Sequence, residues 1–366
     1  MKKMGLLLIA SISLLMTPPV QASTPVVRIT DAPHTDFAGN FRDNNLALAL
    51  APEGKLGKAL LRASKTTTWV IDAALLDEII DMSDGYQYLE KEDPVGANLA
   101  LLWLQQLKEV TAGDPIVALP YGNPDAALAR SLSKSELAFY AELGRSKLEA
   151  FFARSVISQN GWGSGKSQLN SEFKALYKRN RSHLVRLSMA VSVDEIQLLR
   201  ARLGRTLSPD LNSKQRAYFS YQARDATDNL VKKLRIVSGR YQLTSDTVKV
   251  PLTIVNDFET DTVLTLSLLP MNYRIQVDSI NDIVIPAKSR IQISVPFMVI
   301  ASGSTVVEAQ LMTSEGVPIG ELSRLSLTMT VIDSRVAWFT TAAGVLLFLA
   351  AATQSLRRIR RSRREK

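Results

Sequence analysis

The sequence predicts an α+β multidomain protein, with an α/β and helical N-terminal head, an immunoglobulin-like β-sandwich and a single C-terminal transmembrane helix. Three observations predict it. Strand and helix patterns alternate in the first part of the chain, about seven short strands follow from Tyr241 to Val331, and an uncharged run from Val336 to Leu356 leads into an arginine-rich stretch. At about 100 to 150 residues per domain, the 366-residue chain has room for these parts.

Residues 1–22 have the pattern of a secretory signal peptide. Two lysines precede an apolar run from Gly5 to Met16, and the small residues Val20 and Ala22 precede an expected cleavage site before Ser23. An uncleaved N-terminal anchor is the alternative. The chain contains no cysteine, so its exported part must be stabilised by its core rather than by disulfide bonds.

Residues 23–155 are predicted to form an α/β region that resembles part of a barrel. A strand, two helices, a second strand and a third helix follow one another, which favours a layer of parallel strands. Few strands are visible, so a complete eight-stranded barrel is not expected. The predicted elements are the strands Thr66–Ile71 and Pro115–Pro120, and the helices Ala73–Met82, Pro94–Val110 and one from Ala126.

Residues 156–234 are predicted to form a basic helical region. Ser192 and Glu195 have the spacing of a capping box that begins one helix, and Gly204 is the expected end of that helix. A further helix is predicted from Ser213 to Leu234. The residues expected on its buried side are Tyr218, Tyr221, Leu230 and Val231.

Five cations of this region give it a positive charge. They offer contacts for an anionic wall polymer, but a solvated helix face is the favoured interpretation. These cations are Lys174, Lys178, Arg179, Arg181 and Arg186.

Residues 235–333 are predicted to form the immunoglobulin-like β-sandwich. Alternation is clearest in Arg290–Val295, where Ile and Val face one way and polar side chains the other. About seven short strands with turn residues between them are typical of such a sandwich. The predicted strands are Lys249–Val255, Val263–Leu269, Tyr273–Val277, Asp282–Ile285, Arg290–Phe297, Thr305–Met312 and Leu322–Val331.

Residues 336–356 are predicted to cross the membrane once as a helix. Twenty-one helical residues reach roughly 30 Å, which is the thickness of the hydrocarbon core of a bilayer. Because cations are retained on the cytoplasmic side, residues 357–366 are expected inside the cell and the part before Arg335 outside. The arginines expected to set this orientation are Arg357, Arg358, Arg360, Arg361, Arg363 and Arg364.

The positive charge of the chain is explained by this topology. Of the formal net charge of +9, two charges come from the signal peptide and six from the tail, which leaves the ectodomain near neutrality. The charge therefore gives no support for a nucleic-acid partner. The expected partner of the tail and the helix is the lipid bilayer, including its anionic lipids.

Asp72 and Asp125 are the catalytic candidates, because each lies just beyond a predicted strand of the α/β region. Paired carboxylates are the chemistry of glycoside hydrolysis, and Asp72 with Asp77 or Asp31 offers ligands for a metal. An aspartate after a strand is also an ordinary helix N-cap, and this second interpretation is favoured.

Tyr121 and Asn123 are the candidate ligand-binding residues. The tyrosine ring offers a surface on which a sugar stacks, with the asparagine amide beside it. The favoured alternative is a tyrosine that packs under its own loop. The two histidines, His34 and His183, fall in different regions, so no metal site, cofactor or catalytic triad is expected.

The order of these parts resembles an actinobacterial family of uncharacterised, secreted envelope proteins with a C-terminal membrane anchor. Three segments support the resemblance: WVIDAALLD at Trp69–Asp77, VALPYGNPD at Val117–Asp125 and VPLTIVND at Val250–Asp257. It covers the chain from Thr66 to Ala150 and from Leu234 onward, with no match between Ser155 and Leu234.

Members of that family are usually longer, and their α/β part is similar to the barrels of polysaccharide deacetylases. Later barrel strands of those longer relatives are missing here, so the chain resembles a shortened form. The resemblance implies a role in wall assembly beside a lipid-linked peptidoglycan precursor flippase, which is an association and not a mechanism.

Together these features favour a non-enzymatic, single-pass protein of the cell envelope. It is expected to present an extracytoplasmic head to a precursor flippase, a wall synthase or wall glycan, with the tail in the cytoplasm. The alternative is a reduced glycan-active hydrolase or deacetylase-like enzyme. A third hypothesis is a mechanical spacer without a specific ligand.

Overall fold

A computed structural model shows a mixed α+β fold and describes residues 25–61, 66–88, 91–158, 162–163, 165–330 and 334–362. The predicted signal peptide lies outside these residues, as do Arg363 and Arg364.

The first part of the chain contains a three-stranded parallel sheet with strand order β1-β2-β5. The sequence predicted β2, α3, α4, β5 and α5 close to their observed bounds, and it missed β1 and the two short helices that follow. The elements are β1 (Val26–Ile29), α1 (Asn45–Leu50), α2 (Lys55–Leu61), β2 (Thr68–Ile71), α3 (Ala73–Ser83), β3 (Gln87–Tyr88), β4 (Lys91–Glu92), α4 (Pro94–Val110), β5 (Ile116–Ala118), α5 (Ala126–Leu132) and α6 (Lys134–Phe152).

The two faces of this sheet have different surroundings. Trp69 and Ile71 of β2 face a large apolar core that they share with the helices. Val70 and Val117 face the other side, where they pack with Leu119 and the partly buried Trp162. Alternate residues of a strand point to opposite faces, and here both faces are apolar, as in parallel sheets covered on both sides.

The middle of the chain is helical, as predicted, but its boundaries differ from the expectation. Helix α8 begins after Val193, whose side chain makes no cap, so the predicted capping box of Ser192 and Glu195 is wrong. Gly204 is not the C-cap of this helix. α8 ends at Arg202, and Gly204 lies within the 3₁₀ turn that follows. The elements are α7 (Ser171–Ala190), α8 (Asp194–Arg202), the 3₁₀ turn Leu203–Leu207 and α9 (Ser213–Val231).

Two of the four residues predicted on the buried side of helix α9, Leu230 and Val231, are buried, and the two tyrosines are not. Tyr218 and Tyr221 are partly exposed, whereas Phe219 and Ala223 are buried together with Leu230. The helix also ends three residues before the predicted end at Leu234, because the next residues pair with a strand of the sandwich.

The last part of the described chain forms two sheets in a sandwich-like arrangement. Their strand orders are β10-β12-β8-β6 and β11-β9-β13-β14-β7. All seven predicted strands are present, and β6 and β7 were not predicted. The strands are β6 (Leu234–Ile236), β7 (Arg240–Leu243), β8 (Thr247–Asn256), β9 (Thr262–Pro270), β10 (Ile275–Val277), β11 (Ile280–Ile285), β12 (Ser289–Val299), β13 (Gly303–Met312) and β14 (Pro318–Met329).

The apolar core is continuous between the helices and the two sheets. Leu184 and Leu187 of α7 and Phe219 of α9 belong to the same buried cluster as Leu252 and Leu266 of the sheets. A hydrogen bond also joins the two parts, from Thr262 Oγ1 to the carbonyl oxygen of Ala190 at 2.9 Å. The sandwich and the helices therefore support each other by apolar burial.

After β14, a helix of 29 residues, α10, runs from Ser334 to Ser362. Trp338, Phe339 and the run Val345–Leu349 are exposed on it. The backbone of Arg357 to Arg361 lies in its last turns. No helix within the described residues has both the length and the apolar character needed to span a bilayer.

Candidate functional site

Asp72 is the N-cap of α3, at the end of β2. Its Oδ1 atom accepts the N–H of Ala74 at 3.0 Å and the N–H of Gly122 at 2.9 Å, and the side chain is buried. The first contact satisfies a free donor of the helix, and the second joins β2 to the loop after β5. The N-cap interpretation of Asp72 is therefore confirmed.

The same environment changes the acidity of Asp72. Burial raises the pKa of Asp72 to about 7, in opposition to the backbone N–H groups of Ala74 and Gly122 and to the charge of Arg205. The negative charge of Asp210 raises the pKa further. Burial without a full set of partners favours the neutral carboxyl group.

Asp125 is the N-cap of α5, which confirms the same interpretation for this residue. Its Oδ1 accepts the N–H groups of Ala127 at 2.9 Å and Leu128 at 3.2 Å. Its Oδ2 accepts the N–H of Ser167 at 2.7 Å. Both oxygens of this buried carboxylate are thus occupied by backbone donors.

Tyr121 and Asn123, the candidate ligand-binding pair, are each only 1% exposed. The hydroxyl of Tyr121 donates to Asp77 Oδ2 at 3.0 Å, and the amide of Asn123 donates to Asp210 at 2.7 Å. Neither side chain offers a free face to a sugar ring in this conformation. The packing resembles the favoured alternative, in which the tyrosine lies under its own loop.

A buried ion pair lies beside Asp72, and sequence analysis missed it. Arg205 of the 3₁₀ turn donates to Glu78 of α3 at 2.8 Å, and both side chains are almost fully buried. Glu78 also accepts the hydroxyl of Thr35 at 2.6 Å and the N–H of His34 at 3.0 Å. We call Thr35, Asp72, Glu78 and Arg205 the Arg205 cluster.

Gly122 allows the loop after β5 to approach this cluster. Its φ is +78°, and a Cβ atom there would lie 2.8 Å from Cγ of Arg205. A side chain at this position would therefore be strained and would also clash. The sequence contains one indication of the cluster. Glu78 is the only acidic residue among the buried residues of α3, and its other buried residues are apolar.

The cavity at the cluster is very small. It is lined by Asp31, Asp72, Glu78 and Arg205, among others, and has a volume of about 10 Å³. That is about the room that one water molecule needs. Within the part of the chain that the structure describes, no group of three or more His, Cys, Asp or Glu side chains is placed to hold a metal ion.

His34, at the rim of the cluster, is expected to make stability depend on pH. Its Nε2 and Nδ1 lie 3.8 Å from carboxylate oxygens of Asp31 and Asp43, respectively. Burial lowers the pKa of His34, but the acids Asp31, Asp43 and Glu78 outweigh it and raise the pKa to about 9. A raised folded-state pKa means that protonated His34 stabilises the fold at low pH, and that this contribution is lost as the pH rises.

We therefore expect the free energy of unfolding to fall by on the order of 2 kcal/mol between about pH 6.5 and pH 9. Denaturant unfolding at several pH values measures this fall in the free energy of unfolding. His34→Gln is the control and should abolish the part of the pH dependence that comes from His34. An equal fall in wild type and variant would contradict the assignment to His34.

A comparison with known protein families gives one match, to residues 145–364, which is well over half of the chain. The chain belongs to the DUF6049 family. This family has no known function. The DUF6049 match includes residues 155–234, which the resemblance to the actinobacterial envelope proteins did not cover. No curated protein matches the chain.

Several solved structures resemble about a quarter of this DUF6049 chain. E. coli α-2-macroglobulin matches 26% of the chain at 14% identity, with a TM-score of 0.22, over 6% of its own length. The C. elegans MSP family member WR4 matches 26% at 12% identity with a TM-score of 0.20, over 97% of its length. The PapD-like domain of human CEP192 matches 28% at 12% identity with a TM-score of 0.21, over 87% of its length. At these TM-scores the likenesses carry no argument about the DUF6049 chain.

Proposed function

We propose that the protein is a non-enzymatic, single-pass protein of the cell envelope that presents an extracytoplasmic head to a wall-synthesis partner or to wall glycan. The observation that carries this proposal is the state of the two catalytic candidates. Asp72 and Asp125 are buried helix caps, and the cavity at Asp72 has room for about one water molecule. A glycan chain has no path to either carboxylate in this conformation.

The proposed anchor is α10. Its 29 residues reach roughly 43 Å along the helix axis, and the described apolar side chains of its first half are exposed to solvent. Large exposed apolar surfaces mark contacts with a membrane or a partner. For Val336 and Leu356, at the two ends of the predicted span, the structure describes the backbone but not the side chain.

The remaining parts of the proposal follow the sequence. The predicted signal peptide and the arginine-rich tail support a head outside the membrane and residues 357–366 in the cytoplasm. The sandwich-like sheets then form an immunoglobulin-like module next to the bilayer. The family resemblance supports a peptidoglycan precursor flippase or a wall synthase as the protein partner, with wall glycan as the other ligand.

The second candidate function is a reduced glycan-active enzyme, and the pKa of Asp72 favours it. A carboxyl group with a pKa of about 7 has the acidity of a general acid or base. This function requires the cavity to open, because its present volume of about 10 Å³ excludes a sugar ring.

One pair of substitutions separates the two functions. Asparagine caps a helix about as well as aspartate does but has no carboxylate, so Asp72→Asn with Asp125→Asn keeps the caps and removes any acid–base chemistry. Asp125→Asn also loses the acceptor for the N–H of Ser167, so the folding of the double variant is checked by circular dichroism. We expect the double variant to restore growth and wall integrity to a strain that lacks the gene as fully as wild type does. The measurement is complementation by the full-length chain, with membrane amounts matched by a tag.

Crosslinking and affinity purification of the same tagged chains gives the second readout. The double variant should capture the same wall-synthesis proteins as wild type. Loss of complementation by a variant that is folded and present in the membrane would contradict the non-enzymatic proposal and favour the enzyme.

A further inference from the structure

One end of the sandwich is the end from which α10 leaves. β14 ends at Met329, which pairs with Gly303 at the start of β13 and with Leu243 at the end of β7. β9 reaches the same end, because Pro270 pairs with Val307 and the N–H of Met271 donates to the carbonyl oxygen of Val306. The loops 271–274 and 300–302 therefore both lie at this end.

This end carries large apolar side chains that the described residues leave uncovered. Tyr273 is 96% exposed, and the other four members of the group are each more than half exposed. Met271, Tyr273 and Ile300 lie in or beside the two adjoining loops, whereas Leu269 and Met298 lie on the outward faces of the two different sheets. Single exposed apolar residues are ordinary, but larger exposed apolar groups mark contact surfaces. We call the group the apolar rim: Leu269, Met271, Tyr273, Met298 and Ile300.

The opposite end of the sandwich has a different surface. Its turns carry Glu259, Ser314 and Glu315, all exposed, and Lys288, which pairs with Glu259 at 2.9 Å. β13 separates the two ends by about 30 Å, at roughly 3.4 Å per residue. The turns at the opposite end are therefore polar, while the paired strand residues Val263 and Val284 beside them are 55% and 59% exposed.

The chain keeps the apolar rim close to the start of α10. Five residue steps join Met329 to Ser334, and five residues span at most about 18 Å. Trp338 and Phe339 follow about one helical turn later, and such rings favour the interface between headgroups and hydrocarbon. If α10 crosses the bilayer, the apolar rim lies within reach of the headgroup region.

We propose that the apolar rim docks on the surface of the lipid bilayer, so that the sandwich lies against the membrane. This inference rests on the proposed membrane anchor. Tyr273 places its ring at the interface with its hydroxyl in the headgroup layer, and Met271 and Ile300 insert beside it. The exposed Arg274 next to Tyr273 supplies a positive charge for lipid phosphates.

The absence of native cysteine allows a direct test with single labels. Ala301→Cys places a small change in the exposed loop at the apolar rim, Ser314→Cys reports on the far end, and Ala350→Cys reports on α10. Each full-length variant is labelled with the fluorophore NBD. It is then reconstituted into vesicles of phosphatidylcholine and phosphatidylglycerol with and without doxyl-labelled lipid as quencher.

The proposal predicts a large loss of fluorescence by lipid quenching at residues 301 and 350 and none at residue 314. Changing Met271, Tyr273 and Ile300 to Ser should abolish quenching at 301 without affecting 350. Quenching at residue 350 but not at residue 301 overturns the docking proposal and is still consistent with the proposed anchor. The same result is expected if the apolar rim binds a protein instead of lipid. Absence of quenching at 350 overturns the anchor and, with it, this inference.

Discussion

Arg205→Met is expected to lower the free energy of unfolding by about 3 to 5 kcal/mol at neutral pH, because it leaves the buried carboxylate of Glu78 without its countercharge. Arg205 and Glu78 are joined at 2.8 Å, with side-chain exposures of 4% and 3%. Arg205 also donates to Thr35 Oγ1 at 3.0 Å, so the change weakens the link between the N-terminal segment and the 3₁₀ turn. Denaturant unfolding followed by circular dichroism measures the loss.

Arg224→Met is the matched control for this change. Arg224 pairs with Asp225 at the same distance of 2.8 Å, but both side chains are well exposed. Solvent screens such pairs, so the expected cost is about 1 kcal/mol or less. Equal losses in the two variants would show that burial of the Arg205 pair contributes nothing.

A second variant tests the reason for the loss. Glu78→Gln combined with Arg205→Met removes the unpaired charge and keeps an acceptor for the hydroxyl of Thr35. This double variant should be more stable than Arg205→Met alone, since the main cost of the single change is the isolated charge. A double variant as unstable as the sum of the two single changes would contradict that explanation.

Asp72→Ala is expected to cost about 2 to 4 kcal/mol at pH 5, because it removes an N-cap and leaves the buried N–H of Gly122 without an acceptor. Asp72→Asn should cost much less, because its amide oxygen accepts the same two bonds. Equal losses for alanine and asparagine would show that the hydrogen bonds to Ala74 and Gly122 contribute little.

The same residue gives a pH dependence with a defined sign. The pKa of Asp72 is raised from 3.8 to about 7, so the folded state holds this proton more tightly than the unfolded state does. The resulting stabilisation is fully present below about pH 4 and is lost as the pH rises through 7, by up to about 4 kcal/mol. Denaturant unfolding of wild type and of Asp72→Asn at pH 4 and pH 8 measures this loss. The free energy of unfolding should fall by about 4 kcal/mol less in the variant than in wild type.

Local patterns predicted much of the fold. The seven strands from β8 to β14 were predicted because alternating apolar and polar side chains, and the turn residues between strands, are patterns that extend over only a few neighbouring residues. The caps at Asp72 and Asp125 were found for the same reason. β6 was missed because Leu234–Ile236 becomes a strand only by pairing with β8, and nothing within those three residues opposes helix.

The candidate site was less accessible to such analysis. The aspartates were identified, but the hydrogen bond from Gly122 to Asp72 and the one from Ser167 to Asp125 join residues that lie 50 and 42 positions apart along the chain. Tyr121 and Asn123 have the residue types of a sugar site, and only the packing around them shows that their faces are covered. The Arg205 cluster joins positions separated by 127 residues.

The sequence by itself determined most of the element types, the caps at Asp72 and Asp125 and the apolar run with its following arginines, because these depend on neighbours in the chain. The tertiary structure decided the pairing of Arg205 with Glu78, the raised pKa of Asp72, the core shared by helices and sheets, and the exposure of the apolar rim. These features depend on which distant segments meet, since burial and charge pairing are properties of the packed chain.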